Sequence, residues 1–284
     1  MEANILQTWI NRNDDNAILD FSYLNITKLP KLPQNLKRLD INHTQIHFLP
    51  RLPNTLTHLY CYNTNIKGIS LPPNLIHLDC GNTLISVLPS LPKLLRYLDC
   101  NNTAISVLPV MPLSLLCLIC FDTDINYIPN LPPRLLYLSC YNTAISLLPL
   151  LPDSLAYLFC QNTLLIYIDT FPPLLKYFFC QNTLIASLPD LPKKLTHLDC
   201  SYTEICVLPN LPKKLQLLKC TGCPLQLLLP MGEQESIENY NTRWLILKNF
   251  WMEEESRNRS QIRNSEFAEE LIARIWRPNN CFEE

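Results

Sequence analysis

Thirteen cysteines are the first candidates for chemistry. Nine of them, Cys61, Cys80, Cys100, Cys120, Cys140, Cys160, Cys180, Cys200 and Cys220, follow one another at intervals of 20 residues, with a single interval of 19 at the start. Cysteine can form disulfides, ligate soft metals or attack as a thiolate. The fixed period points elsewhere, because residues repeated at such an interval stack in one column along a solenoid. Strands about 4.8 Å apart put inward Cβ atoms at the outer edge of disulfide reach, with parallel vectors that fit the bond poorly. Cysteine is also among the most buried residue types, and its small side chain suits a narrow interior. The column is therefore expected as buried free thiols, which implies an intracellular, reducing compartment. Cys117, Cys206, Cys223 and Cys281 lie off the column and receive no chemistry.

The second candidate is a metal site. His58 and His77 fall on adjacent repeats beside Asp79 and Asp99, ligands a divalent ion would accept. A solvated polar strip with His–Asp hydrogen bonds is the preferred reading, so no metal and no cofactor are expected. No Ser/His/Asp order and no metal-ligand spacing appears, and 4 Gly leave nothing for a phosphate loop. The chain is read as not an enzyme, with no catalytic residues. A net charge of −2, from 23 basic and 25 acidic residues, gives no footprint for nucleic acid or an anionic membrane. Every apolar stretch is broken before the roughly 20 residues a membrane span needs, and the first residues lack a basic region followed by an apolar run.

The elements that carry these residues follow from the repeat itself. Written from its first leucine the unit is LxxLxCxNTxIxxLPxLPxx, as in LRYLDCNNTAISVLPVMPLS from Leu95. It recurs in ten copies, keyed by Ile41 and then the nine cysteines, and a degenerate eleventh precedes them around Leu19 and Phe21. This is the leucine-rich-repeat pattern, with Cys at the third apolar position. Residues one and four open a short strand, and period-two alternation turns residues four and six inward, as with Leu98 and Cys100. The ninth residue (Thr44, Thr64, Thr83, Thr103, Thr123, Thr143, Thr163, Thr183, Thr203) is expected inside as a threonine ladder whose hydroxyls satisfy backbone groups. Proline every three residues in LPxLP excludes a helix and favours an extended polyproline-II return. The fold expected is a shallow horseshoe of 10–11 short parallel strands with an extended convex side.

Composition changes at both ends. Residues 1–15 place Ile5, Trp9 and Ile10 at helical spacing, which predicts an N-terminal capping helix. The solenoid is assigned to 16–224. Residues 225–284 hold eleven glutamates against two before them, and three of the four tryptophans. Two amphipathic helices are expected in this C-terminal cap or tail, one carrying Ile237, Tyr240, Trp244 and Leu247, the other Phe267, Leu271 and Ile275, with the polar tract 253–261 between them as a solvated surface.

The run over residues 26–223 resembles the short LPxLP leucine-rich repeats of bacterial effectors, both pure repeat scaffolds and ubiquitin ligases. It also resembles giant-DNA-virus repeat proteins, to whose Trp-x-Pro tails EELIARIWRP at 269–278 is similar. The resemblance implies an intracellular protein-binding scaffold, acting in a host cytoplasm if viral or effector-like. An alternative it implies is a substrate adaptor for ubiquitin transfer that recruits a ligase through the tail. Sixty residues are too few for a catalytic ligase domain, and NNCFEE around Cys281 lacks its Cys-x-Asp arrangement.

The outward strand positions locate the binding surface. Tyr97, Phe121, Tyr137, Tyr141, Tyr157, Phe159, Tyr177 and Phe179 are expected to gather over five strands, roughly 19 Å of concave sheet. Asp79 and Asp99 flank them at one end, His197 and Asp199 at the other. An apolar centre with a polar rim suits a protein or peptide partner. The chain is expected to be a monomer.

Overall fold

The computed structural model describes residues 2–12, 14, 17–225 and 236–245. Eleven three-residue strands stack in chain order as one parallel sheet. They are β1 (Ile18–Asp20), β2 (Arg38–Asp40), β3 (His58–Tyr60), β4 (His77–Asp79), β5 (Tyr97–Asp99), β6 (Cys117–Ile119), β7 (Tyr137–Ser139), β8 (Tyr157–Phe159), β9 (Tyr177–Phe179), β10 (His197–Asp199) and β11 (Leu217–Lys219). Each is a repeat's third to fifth residues, so the degenerate first copy is a full strand. Neighbours pair without slippage, for example Leu98 with Leu118 and Leu118 with Leu138. A leucine or phenylalanine at the centre of every strand is buried, and a slip of one residue would turn it to solvent.

The cysteine column lies inside, 0–4% exposed, and all nine are free thiols. Five of the thiols donate to the next strand's carbonyl, as in Cys61 Sγ to Asp79 O at 3.2 Å and Cys200 Sγ to Lys219 O at 3.3 Å. Cysteine here is a small apolar residue with a weak donor. Burial pushes the Cys140 thiol up to about 12, so the column holds little of the thiolate that redox and metal chemistry need.

The threonine ladder closes each strand. Every ladder hydroxyl donates to the carbonyl three residues earlier, from Thr44 to Ile41 O at 2.8 Å through Thr203 to Cys200 O at 2.7 Å. The residue before each threonine has positive φ, as at Asn82 (50°), Asn142 (52°) and Asn182 (55°). Asparagine tolerates this left-handed turn better than other residues with a Cβ. Its amide also reaches back to the preceding repeat: Asn162 Nδ2 donates to Asn142 Oδ1 at 2.6 Å and Asn182 Nδ2 to Asn162 Oδ1 at 2.8 Å. Replacing Asn142 by valine is expected to cost about 1–2 kcal/mol, since a β-branched residue is strained there. Asn142→Gly should cost well under that, and equal urea midpoints for the two variants would contradict the backbone explanation.

The return segments carry neither helix nor strand. Each ends in a turn in which the next repeat's first leucine donates its N–H to a proline carbonyl, as Leu155 does to Pro152 at 2.9 Å. Proline accepts without needing to donate, so it fits both the extended run and the turn.

Helix α1 (Glu2–Arg12) covers the outer edge of β1. Its inward face is Ile5, Leu6 and Trp9, and the Trp9 indole donates to Ala17 O at 3.0 Å. Ile10, expected on that face, is 48% exposed. It lies five residues after Ile5, a rotation of roughly 140° at 3.6 residues per turn, which carries it off the stripe. At the other end residues 237–245 are helical, and Tyr240 and Trp244 are fully buried in the same core as Leu218 and Cys220. Leu247, Trp251, the tract 253–261, the second tail helix, the Trp-x-Pro element and Cys281 lie outside the described residues.

Candidate functional site

Strands of three residues with a buried centre present two outward columns on the sheet's free face. The third-position column contains His58, His77, Tyr97, Cys117, Tyr137, Tyr157, Tyr177 and His197. Its rings stack from strand to strand: His77 on Tyr97 with centroids 4.1 Å apart, Tyr157 on Tyr177 at 5.2 Å, Tyr177 on His197 at 4.3 Å. Cys117 has no ring and divides the column.

The eight aromatic residues singled out from the sequence thus fall into three groups. Tyr97 belongs to the stack with His58 and His77. Tyr137, Tyr157, Tyr177, Phe159 and Phe179 form one cluster on β7 to β9, with Phe159 5.3 Å from both Tyr137 and Phe179. Phe121 and Tyr141 stack at 4.2 Å just past the strand ends, one residue after a column cysteine. All eight are half-buried. Stacking shields one face of each ring and leaves an edge to solvent, so the cluster is ordered before any partner arrives.

The opposite half of the strip is carboxylate-rich. Each aspartate at the fifth position takes an N–H two residues on: Asp40 from Asn42 at 2.9 Å, Asp99 from Asn101 at 3.1 Å. The Asn101 amide and the Tyr97 hydroxyl also donate to Asp99, at 2.6 and 3.4 Å. His58 meets Thr57 Oγ1 at 2.9 Å, and its ring lies nearly parallel to His77 at 5.7 Å. The expected His–Asp hydrogen bonds are not made among the described residues. Ring stacking along the column wins, and parallel rings do not converge their nitrogens on a point. Among the described residues no three His, Cys, Asp or Glu side chains gather as a metal site.

Burial, then the neighbouring Asp99 carboxylate, pushes Asp79 up to about 7. Burial, then His58 and Arg38, holds His77 down to about 4. Asp79 therefore keeps its proton in the folded chain between about pH 4 and 7 and loses it when unfolded, so its contribution to stability falls as pH rises through that window. His77 works in the opposite sense, losing stability as pH falls from 6.5 towards 4. Asp79→Asn isolates the first effect. It should stabilise the chain at pH 8 by roughly 1–3 kcal/mol, after allowing for solvent on the open side, and by almost nothing near pH 4. Thermal melts at both pH values check this, and an advantage independent of pH would contradict it.

Sequence reasoning gave no role to Cys223, which replaces the threonine of the last ladder rung. Its thiol sits 2.9 Å from Cys200 O and 3.3 Å from Thr203 Oγ1. The 20-residue step from Thr203 was the available signal.

Compared with solved structures, the chain is similar to YopM from Yersinia enterocolitica, with a TM-score of 0.70 and 31% identity over 71% of this chain and 45% of that one. It is similar to a leucine-rich-repeat protein of Leptospira interrogans, with a TM-score of 0.58 and 22% identity over 72% of this chain and 62% of that one. The leucine-rich-repeat domain of APL1B gives 0.57 and 16% over 70% and 65%. The chain spans less than half the length of the YopM it matches. No family model and no curated protein sequence matches it. Among the described residues no helix is long and apolar enough to cross a membrane. The ubiquitin-adaptor alternative draws on the tail 225–284, of which residues 225 and 236–245 are described.

Proposed function

We propose that this leucine-rich-repeat solenoid is a non-catalytic scaffold that binds a protein or extended peptide on its concave face, with Tyr137, Tyr157 and Phe159 as anchors. The observation that carries this reading is the ring cluster of β7 to β9: five half-buried aromatics, preordered by stacking, on a sheet face that nothing else in the described chain covers. Aromatic side chains lose little rotamer freedom on binding and bury large areas, which suits them as anchors. Phe121 and Tyr141 extend the surface past the strand ends, and Tyr97 begins a second, more polar half. The free-thiol column fits a reducing compartment.

A photo-crosslinking residue at position 157, compared with one at position 193 in the exposed turn before β10, tests the reading in lysate from the native source. Position 157 should capture a discrete protein and position 193 should not. Equal capture at both sites would count against the concave face.

A further inference from the structure

A second apolar surface lies off the sheet. Val87, Val107, Tyr127, Leu147 and Tyr167 take the same place in five successive repeats, between two inward-facing aliphatic residues of the return segment, and are 46–73% exposed. Three residues beyond two of them, Val110 and Leu150 are 87% and 80% exposed. Gly68 and Ser187 end the row, with Phe48 and Val207 isolated beyond these breaks. Other copies carry Gly68 and Ser187 at this position, so the repeat does not demand an apolar side chain there, and five in succession need another explanation.

The size of the surface and its shape point to the same occupant. Seven such side chains present on the order of 700 Å² of apolar surface. That exceeds the few hundred Å² a monomer ordinarily exposes and approaches the roughly 800 Å² per partner of a standard interface. The row is also self-complementary. A two-fold axis through Tyr127 sets Val87 of one copy against Tyr167 of the other, and Val107 against Leu147, a smaller side chain opposite a larger one on both sides. Both rows belong to the same repeat and so advance by the same step, which keeps the match along their length. We propose that two copies of this chain pair through their return sides along the Val87 to Tyr167 row, leaving both concave faces open.

Sedimentation velocity on the full chain tests this. A dimer is expected at about 10 µM, and Tyr127→Glu should weaken it at least about 100-fold while leaving unchanged the thermal melt taken at concentrations too dilute for the wild-type chain to pair. The two-fold pairing makes a sharper demand: Val107→Lys alone and Leu147→Glu alone should each be monomeric, and their mixture should form a dimer. A wild-type chain monomeric at about 100 µM, a dimer indifferent to Tyr127→Glu, or a mixture that stays monomeric would overturn the proposal. So would a monomer that floats with phosphatidylcholine vesicles in a Tyr127-dependent way, which would assign the row to a lipid surface.

Discussion

Trp244→Ala should destabilise the chain by about 3–5 kcal/mol, the range for removing a fully buried large aromatic. A solenoid's last strand has no successor to cover it, and here Tyr240 and Trp244 close over the end of the core beside Leu218 and Cys220. Each repeat contacts only its neighbours, so the loss should appear first at the C-terminal end. Hydrogen exchange should quicken in β10 and β11 before β4 and β5, and the urea midpoint should fall. Cutting the chain after Gly232 should have the same effect or a larger one. A truncated chain as soluble and heat-stable as the whole would make the helical segment an appendage, and a recruiting role for the tail would then gain ground.

The second large effect concerns the floor of the aromatic cluster. Phe178 takes the place that leucine holds in the other strands; it is fully buried and meets Phe171 edge to face at 4.9 Å. Phe178→Ala should cost about 3–5 kcal/mol through lost burial and the cavity left behind. Phe178→Leu restores the repeat's own residue and should cost less than about 1.5 kcal/mol. Because Phe178 lies between Tyr177 and Phe179 on β9, the alanine variant should also loosen the rings above it. Near-ultraviolet circular dichroism and urea unfolding measure both consequences. Equal losses for Leu and Ala would mean that the site is matched to phenylalanine's shape rather than to volume alone.

The repeat made most of the fold legible. A period of 20 with leucine, cysteine and threonine at fixed offsets leaves one arrangement in which all three turn inward, and that arrangement is present from β2 to β10, with Ile41 in the cysteine's place at β2 and Phe178 in the leucine's place at β9. What was less legible depends on geometry the period does not encode. The asparagine before six of the nine ladder threonines was visible, but its left-handed backbone and its bonds to the neighbouring repeat follow from how the chain leaves the strand. Ile10 looked apolar and near in sequence, yet helical rotation carries it to solvent. The aromatic residues were found from their outward positions. Their division at Cys117 needed strand pairing, since stacking requires a ring on each successive strand. The exposed Val87 to Tyr167 row was not legible, because the repeat constrains the residues that turn inward and leaves the outward residues of the return side free to vary.

The most direct test of the concave-face account is the dissociation constant of an identified partner for three forms of the full chain. Tyr157→Ala/Phe159→Ala should bind at least about 100-fold more weakly than wild type while unfolding at a similar urea concentration. Arg38→Ala, on the same face but six strands from Tyr157, should change affinity by less than about twofold. A double variant that keeps full affinity, or an Arg38→Ala variant that loses as much, would contradict the account.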